Sequence, residues 1–142
     1  MAKGNTYTTN LLKLIFQATA MANIADNAAS SPLTSLYVSL HTANPGASGS
    51  QTTSEATYTG YARVAVARTS GGWTVTNQTV TPVTSITFPI GTAGSETITY
   101  FGIGTASSGA GQLLYIGTVT PNFNAGNGIT PILTTASTVI EA

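Results

Sequence analysis

Beyond Pro32 the chain is cut into short pieces. Gly71-Gly72, Pro82, Pro89 and the stretches Gly91–Gly94, Ser107–Gly111 and Asn124–Gly128 are each rich in turn residues. The pieces between them alternate. From Leu36 to His41, the residues Leu36, Val38 and Leu40 face one way and Tyr37, Ser39 and His41 the other, as in a half-buried strand. Further strands are predicted at Arg63–Arg68, Trp73–Thr76, Ser85–Phe88, Glu96–Ile103, Leu113–Gly117, Thr130–Leu133 and Thr138–Ile140, making about eight. Short Thr-rich strands separated by Gly and Pro turns specify a mainly β protein. The expected architecture is an antiparallel β-sandwich of jelly-roll or immunoglobulin-like type rather than a βαβ sheet.

Ahead of Pro32 the pattern is different. Residues 1–9 are polar and aperiodic and read as an arm. From Leu11 onwards, Leu11, Leu12, Ile15, Ala18, Ala22 and Ala25 fall on one helical stripe, which Leu14, Met21 and Ile24 widen. Thr8, Thr9 and Asn10 are candidate N-caps, and the helix is expected to end between Asn27 and Ser30 because Ser31-Pro32 bars its continuation. The organisation predicted is an N-terminal arm and helix over 1–30 followed by a β-sandwich domain over 31–142. No repeat of solenoid or propeller length is visible. The longest connection runs from Thr42 to Gly60, a length that in a compact domain usually serves a function or an interface.

Charge narrows the function classes. The 142 residues include four Lys+Arg and four Asp+Glu, where an average domain of this size would carry roughly 36 such residues. Four cations without a basic excess leave no electrostatic footprint for a phosphate backbone, so nucleic acid is not an expected partner. With 42% hydrophobic residues the chain has material for a core, and its surface must then consist largely of Thr, Ser, Asn, Gln and Gly. Such a surface repels its own copies weakly and reads as one made to touch other protein. The absence of Cys excludes disulfides and thiolate chemistry. Lys13 and Gln17 interrupt the apolar segment that a secretory signal or a membrane span would need, so a soluble protein with no membrane partner is expected.

Little in the sequence points to catalysis. Ser39, His41 and Glu55 can be drawn as a nucleophile, base and orienting carboxylate, but no nucleophile elbow or Gly-rich oxyanion signature accompanies them. The expectation is a structural His41, hydrogen-bonded at a strand end. The carboxylates Asp26, Glu55, Glu96 and Glu141 lie on four separate elements without metal-ligand spacing. Gly102-Ile103-Gly104 lacks the third glycine and the helix of a dinucleotide loop. Asn77-Gln78-Thr79 matches a glycosylation acceptor with no secretory signal to use it. No catalytic residue, metal, cofactor or small-molecule substrate is therefore expected. Tyr58, Tyr61 and Arg63, at the end of the long loop, are residue types that anchor interfaces, although the tyrosines would equally pin their own loop to the sandwich. Glu55 in that loop, and Leu11 and Ile15 on the helix stripe, complete the candidate contact set should loop or helix reach a neighbour. Trp73 is assigned to the core.

The runs 36–46 (LYVSLHTANPG) and 49–66 (GSQTTSEATYTGYARVAV), Trp73, Phe88-Pro89, 99–104 (TYFGIG) and 108–117 (SGAGQLLYIG) give the chain a family likeness. It resembles a family of small virion proteins of tailed bacteriophages, variously labelled capsid decoration (cement) proteins or tail fibre proteins. The resemblance covers most of residues 36–133, and the segment 8–29 belongs to it only loosely. It implies a non-enzymatic structural protein, in the first instance a decoration protein that binds between major capsid protein subunits and stabilises the head. The alternative is a tail component: fibre, adaptor or receptor-binding module. The implied partners are the major capsid protein and further copies of the chain, as a homotrimer. The implied location is the outer surface of the capsid, after synthesis in the host bacterial cytoplasm.

Overall fold

A computed structural model describes residue 3 and residues 5–21 and 32–141. Among these residues one helix, α1 (Asn5–Gln17), precedes nine strands: β1 (Ser35–His41), β2 (Val64–Ala67), β3 (Trp73–Thr76), β4 (Thr79–Pro82), β5 (Ile86–Thr87), β6 (Ser95–Gly104), β7 (Leu113–Gly126), β8 (Ile132–Leu133) and β9 (Val139–Ile140). The strands form an antiparallel, sandwich-like fold, as the alternation and turn spacing predict. One sheet has the order β2-β1-β6-β7, a second β3-β4-β9, and a short third β5-β8.

The apolar side of the larger sheet supplies Val38 from β1 and Phe101 and Ile103 from β6. They meet Trp73, Val80, Pro82, Ile86, Leu133 and Val139 across the interior. Leu36, Val38, Leu40, Trp73, Val80, Phe88 and Ile98 are fully or almost fully buried, and each such apolar side chain stabilises the fold by about 1.5–3 kcal/mol.

The helix joins this same core. Leu12 and Phe16, four residues apart on one face, are fully buried, and Phe16 meets the Trp73 ring edge-on with centroids 4.9 Å apart. Both of its ends correct the sequence reading. The helix begins at Asn5, inside the expected arm, so Thr8, Thr9 and Asn10 lie within it rather than capping it. Thr8 and Thr9 turn their hydroxyls onto the Asn5 carbonyl, each at 2.9 Å. The helix stops at Gln17 because Ala18 takes a left-handed conformation (φ 53°) and the Thr19 N–H reaches back to the Lys13 carbonyl at 3.1 Å. Alanine here takes the left-handed position past a helix end that glycine usually fills. The expected end between Asn27 and Ser30 lies outside the described residues.

Two strands also differ from expectation. Pro82, a turn position in the sequence pattern, instead ends β4, where it pairs with Trp73 and is itself buried. β7 continues past Gly117 to Gly126, its Asn124 lying opposite Thr97 of β6. Four of its residues, 119–122, bulge opposite the single Thr99. Opposite Gly104 the register shifts again.

Candidate interaction surface

The face of β1 expected to meet solvent is covered. Ser39 and His41 are fully buried because the connection from Thr42 to Gly60 folds back over the outer side of the larger sheet as an added layer. Glycines make room for it. A Cβ at Gly102 would sit 2.8 Å from both His41 Nε2 and Ser39 Oγ, and one at Gly104 or Gly111 would collide with the Gln51 side chain. Gln51 is the plug of this layer. Fully buried, it donates to the Tyr37 carbonyl at 3.3 Å and accepts from the Ala106 N–H at 2.9 Å. Gly104 is therefore a seat of the covering loop, while Gly102 makes room for the Ser39, His41 and Leu113 side chains of the neighbouring strands.

His41 is held from both sides. Its Nδ1–H donates to the Thr53 carbonyl at 2.9 Å, which leaves Nε2 to accept from the Ser39 hydroxyl at 2.9 Å. Burial lowers its pKa below the usual 6.5. Glu55 does not complete a triad. Its carboxylate takes Arg63 Nε at 2.6 Å and Nη2 at 2.8 Å, and the Tyr61 hydroxyl at 2.9 Å. His41 is thus hydrogen-bonded at the strand end, with a backbone carbonyl where a catalytic histidine would have its orienting acid.

The Tyr58, Tyr61, Arg63 and Glu55 side chains are drawn together within the chain. The Arg63 side chain is 2% exposed, and besides Glu55 it donates to the carbonyls of Ala106 (2.9 Å) and Gly109 (2.7 Å). Its hydrogen bonds to Glu55 raise its pKa further. Tyr61 receives the Leu40 N–H on its hydroxyl at 3.1 Å and stacks on Phe88, and burial raises its pKa strongly. Tyr58 is buried and donates to the Pro89 carbonyl at 2.9 Å. Leu11 and Ile15 are half-buried on α1, and Ile15 packs against the core. Trp73 lies in the core as expected.

The same inward use of charge recurs across the molecule, unseen in the sequence because partners lie far apart in the chain. Arg68 donates to the carbonyls of Leu14 (2.8 Å) and Ile15 (2.7 Å) in the last turn of α1, and to that of Leu33 (2.7 Å). Glu96 accepts from the backbone N–H groups of Thr57 (2.8 Å) and Tyr58 (2.9 Å). Glu141 accepts from Lys3 and from the Tyr115 hydroxyl, and the Lys3 hydrogen bond leads in lowering its pKa. Of the seven charged residues described, Lys3, Lys13, Glu55, Arg63, Arg68, Glu96 and Glu141, only Lys3 is exposed and the others are half-buried. Asp26 lies outside the described residues.

What remains outward is neutral. Between Glu96 and Glu141 the sequence contains no charged residue at all, and this stretch builds β7 and the segment beside it. A groove of about 670 Å³ runs there, lined by Phe101, Gly117, Val119 and Phe123 on one side and by Ile129 and Ile132 on the other. Among the described residues no three His, Asp or Glu side chains gather as a metal site would require, and no helix is long and apolar enough to cross a membrane.

A family model described as "Podophage GP4 fiber I protein gp80" matches residues 4–141. The chain belongs to that family. It is a structural protein of tailed-phage virions, in accord with the resemblance carried by the runs between 36 and 133. The match extends across α1 as well, which the resemblance covered only loosely. No curated protein matches the chain.

Proposed function

We propose that this protein is a non-catalytic building block of the phage tail fibre apparatus, held in the particle by its uncharged surface. One observation carries the reading: Glu55, Arg63, Arg68 and Glu96 are tied to groups of the chain itself, leaving an exterior poor in charge and rich in Thr, Ser and Gly, with an open apolar groove. Repeated contacts between such surfaces cost little in charge desolvation and, summed over many copies, give avidity without tight single contacts. The word fiber in the family description favours the tail.

A second reading places the protein on the head as a decoration protein between major capsid protein subunits. The fold favours it in one respect: among the described residues there is no shaft-forming repeat, and helix and strands share one core. A ligand of the assembled shell that ignores its separated parts would stabilise the shell by about 2.7 kcal/mol per site at a hundredfold excess over Kd. An asymmetric cryo-EM map of the virion, with a gel measuring this band against the major capsid protein, tests both. Density at the tail with a few copies per particle supports the fibre reading. Density on the shell at near-stoichiometric ratio replaces it with the decoration reading, and absence from purified virions removes both.

A further inference from the structure

We propose that the free edge of β7, with the groove beside it, is where a second copy of this chain adds. β7 is the last strand of the larger sheet and pairs only with β6. Among the described residues, no backbone hydrogen bond outside that pairing involves residues 113–123. An edge of this length is a template for another strand, and proteins that must avoid pairing with themselves usually place a lysine or other charge on it. This one has none: the bulge at 119–122 and Pro121 interrupt one part of β7, whereas Leu113–Thr118 carries neither charge nor proline.

The side chains flanking the edge suit the same occupant. Ile116 (36% exposed) and Thr118 stand on the outer side of the sheet, past the reach of the 42–60 layer. On the inner side the groove opens between β7 and the segment holding Ile129 (39% exposed) and Ile132 (50% exposed). The strand itself carries no charge, and the Lys3–Glu141 pair that reaches Tyr115 is neutral as a pair, so a strongly charged foreign partner would find no net charge here to recognise. A second copy brings a strand as neutral as this one and meets no electrostatic repulsion. Two pairings are open to it: β7 against β7 about a two-fold axis, or β7 against β2, the other edge of the same sheet, around a closed ring. The inference goes beyond the proposed function and holds for either location in the virion.

The test is sedimentation equilibrium of the full chain up to millimolar concentration, beside the double variant Ile116→Lys/Thr118→Lys and the control Val83→Lys, which lies away from β7. The expected result is a dimer or trimer for the parent and the control and a monomer for the double variant. At a concentration low enough to dissociate the assembly, all three should show the same far-UV spectrum and denaturation midpoint. Because the chain has no cysteine, engineered thiols report without background. Oxidised Thr118→Cys should link a two-fold dimer, Thr118→Cys with Ala65→Cys a ring, and Val83→Cys neither. A parent that stays monomeric throughout overturns the proposal, as does an assembly that survives the double variant or links equally well through Val83→Cys. If the double variant fails to fold, the thiol experiment decides alone.

Discussion

The larger sheet is built on opposite plans toward its β2-β1 end and at its other edge, β7. At β1 the outer face is sealed: the 42–60 layer lies on it, Gln51 fills the space left by Gly104 and Gly111, and Glu55, Tyr61 and Arg63 fasten the layer down. At β7 the strand is uncharged and, among the described residues, its outer edge is unpaired along Leu113–Thr118 with an open groove beside it, while Phe16 and the Lys3–Glu141 pair meet Tyr115. The difference shows how a chain with so few ionic groups deploys them. A charge on the outside would keep copies apart; a charge inside, given a partner, fixes a loop that has no secondary structure of its own. The sealed end is thus expected to respond to mutation through stability, and the open end through association alone.

The largest effect should come from unfastening the sealed end. Arg63→Met removes both guanidinium donors from Glu55, leaving it only the Tyr61 hydroxyl while it stays mostly buried, which is expected to destabilise the fold by roughly 3 kcal/mol in urea denaturation. A loss below about 1 kcal/mol would mean that the pair is as weak as a surface ion pair and that the layer is held by packing. Gly104→Ala comes next. Its Cβ collides with the Gln51 side chain, so about 1–3 kcal/mol should be lost, and Gln51→Ala should recover part of it in the double variant because the two groups compete for one space.

These groups also mark what the sequence made legible. Strand alternation located β1, β3 and β6 closely, because Gly and Pro on their flanks punctuate the chain where the backbone actually turns. It missed β4, since a proline ending a strand looks like one that prevents it, and it shortened β7, since Asn124 to Gly126 look like a turn until the long β6 is there to pair with them. The helix was displaced toward the C-terminus because its stop is an alanine at positive φ, for which composition offers no signal. The covering layer left one trace. Gly104, with Gly111 beyond it, marks a place where another segment lies closely, and Gly102 on the same face makes room for side chains of the neighbouring strands. Which segment it is depends on pairings such as Gln51 with Ala106 and Glu96 with Tyr58, whose sequence separation hides them. The open end left a trace as well: the charge-free run from Glu96 to Glu141 is visible in the sequence, though its position on one sheet edge is not.

A smaller effect follows from His41. Its pKa is lowered by burial, so on acidification the unfolded chain takes up a proton near pH 6.5 while the folded protein still resists it. Unfolded molecules then bind more protons than folded ones, and stability, complete above about pH 6.5, declines as pH falls below that value. Urea midpoints measured between about pH 7.5 and about pH 5.5 should drop for the parent and stay flat for His41→Gln, whatever that variant's absolute stability. Glu141, with its pKa lowered from 4.5, adds a loss in the same direction only at more acidic pH, so the two windows separate. A parent curve that is level across the histidine range would mean that the Ser39 and Thr53 contacts accommodate imidazolium, and that the sealed end is less sealed than its geometry indicates.

The smallest expected effect on folding is at the open end, and it is the one that tests the contrast most sharply. Ile132 is half exposed at the rim of the groove and makes its strand contact with β5 through the backbone, so Ile132→Ser leaves no cavity and orphans no polar group. Its folding stability should therefore lie within about 0.5 kcal/mol of the parent. If the residue instead proves worth 2 kcal/mol or more, on the order of a buried aliphatic side chain, then the groove is part of the core and the difference between the two ends of the sheet disappears. If stability is unchanged while sedimentation shows weaker association, the apolar surface beside β7 acts between molecules and not within one. That separation of effects is what inward-turned charges and an uncharged exterior require.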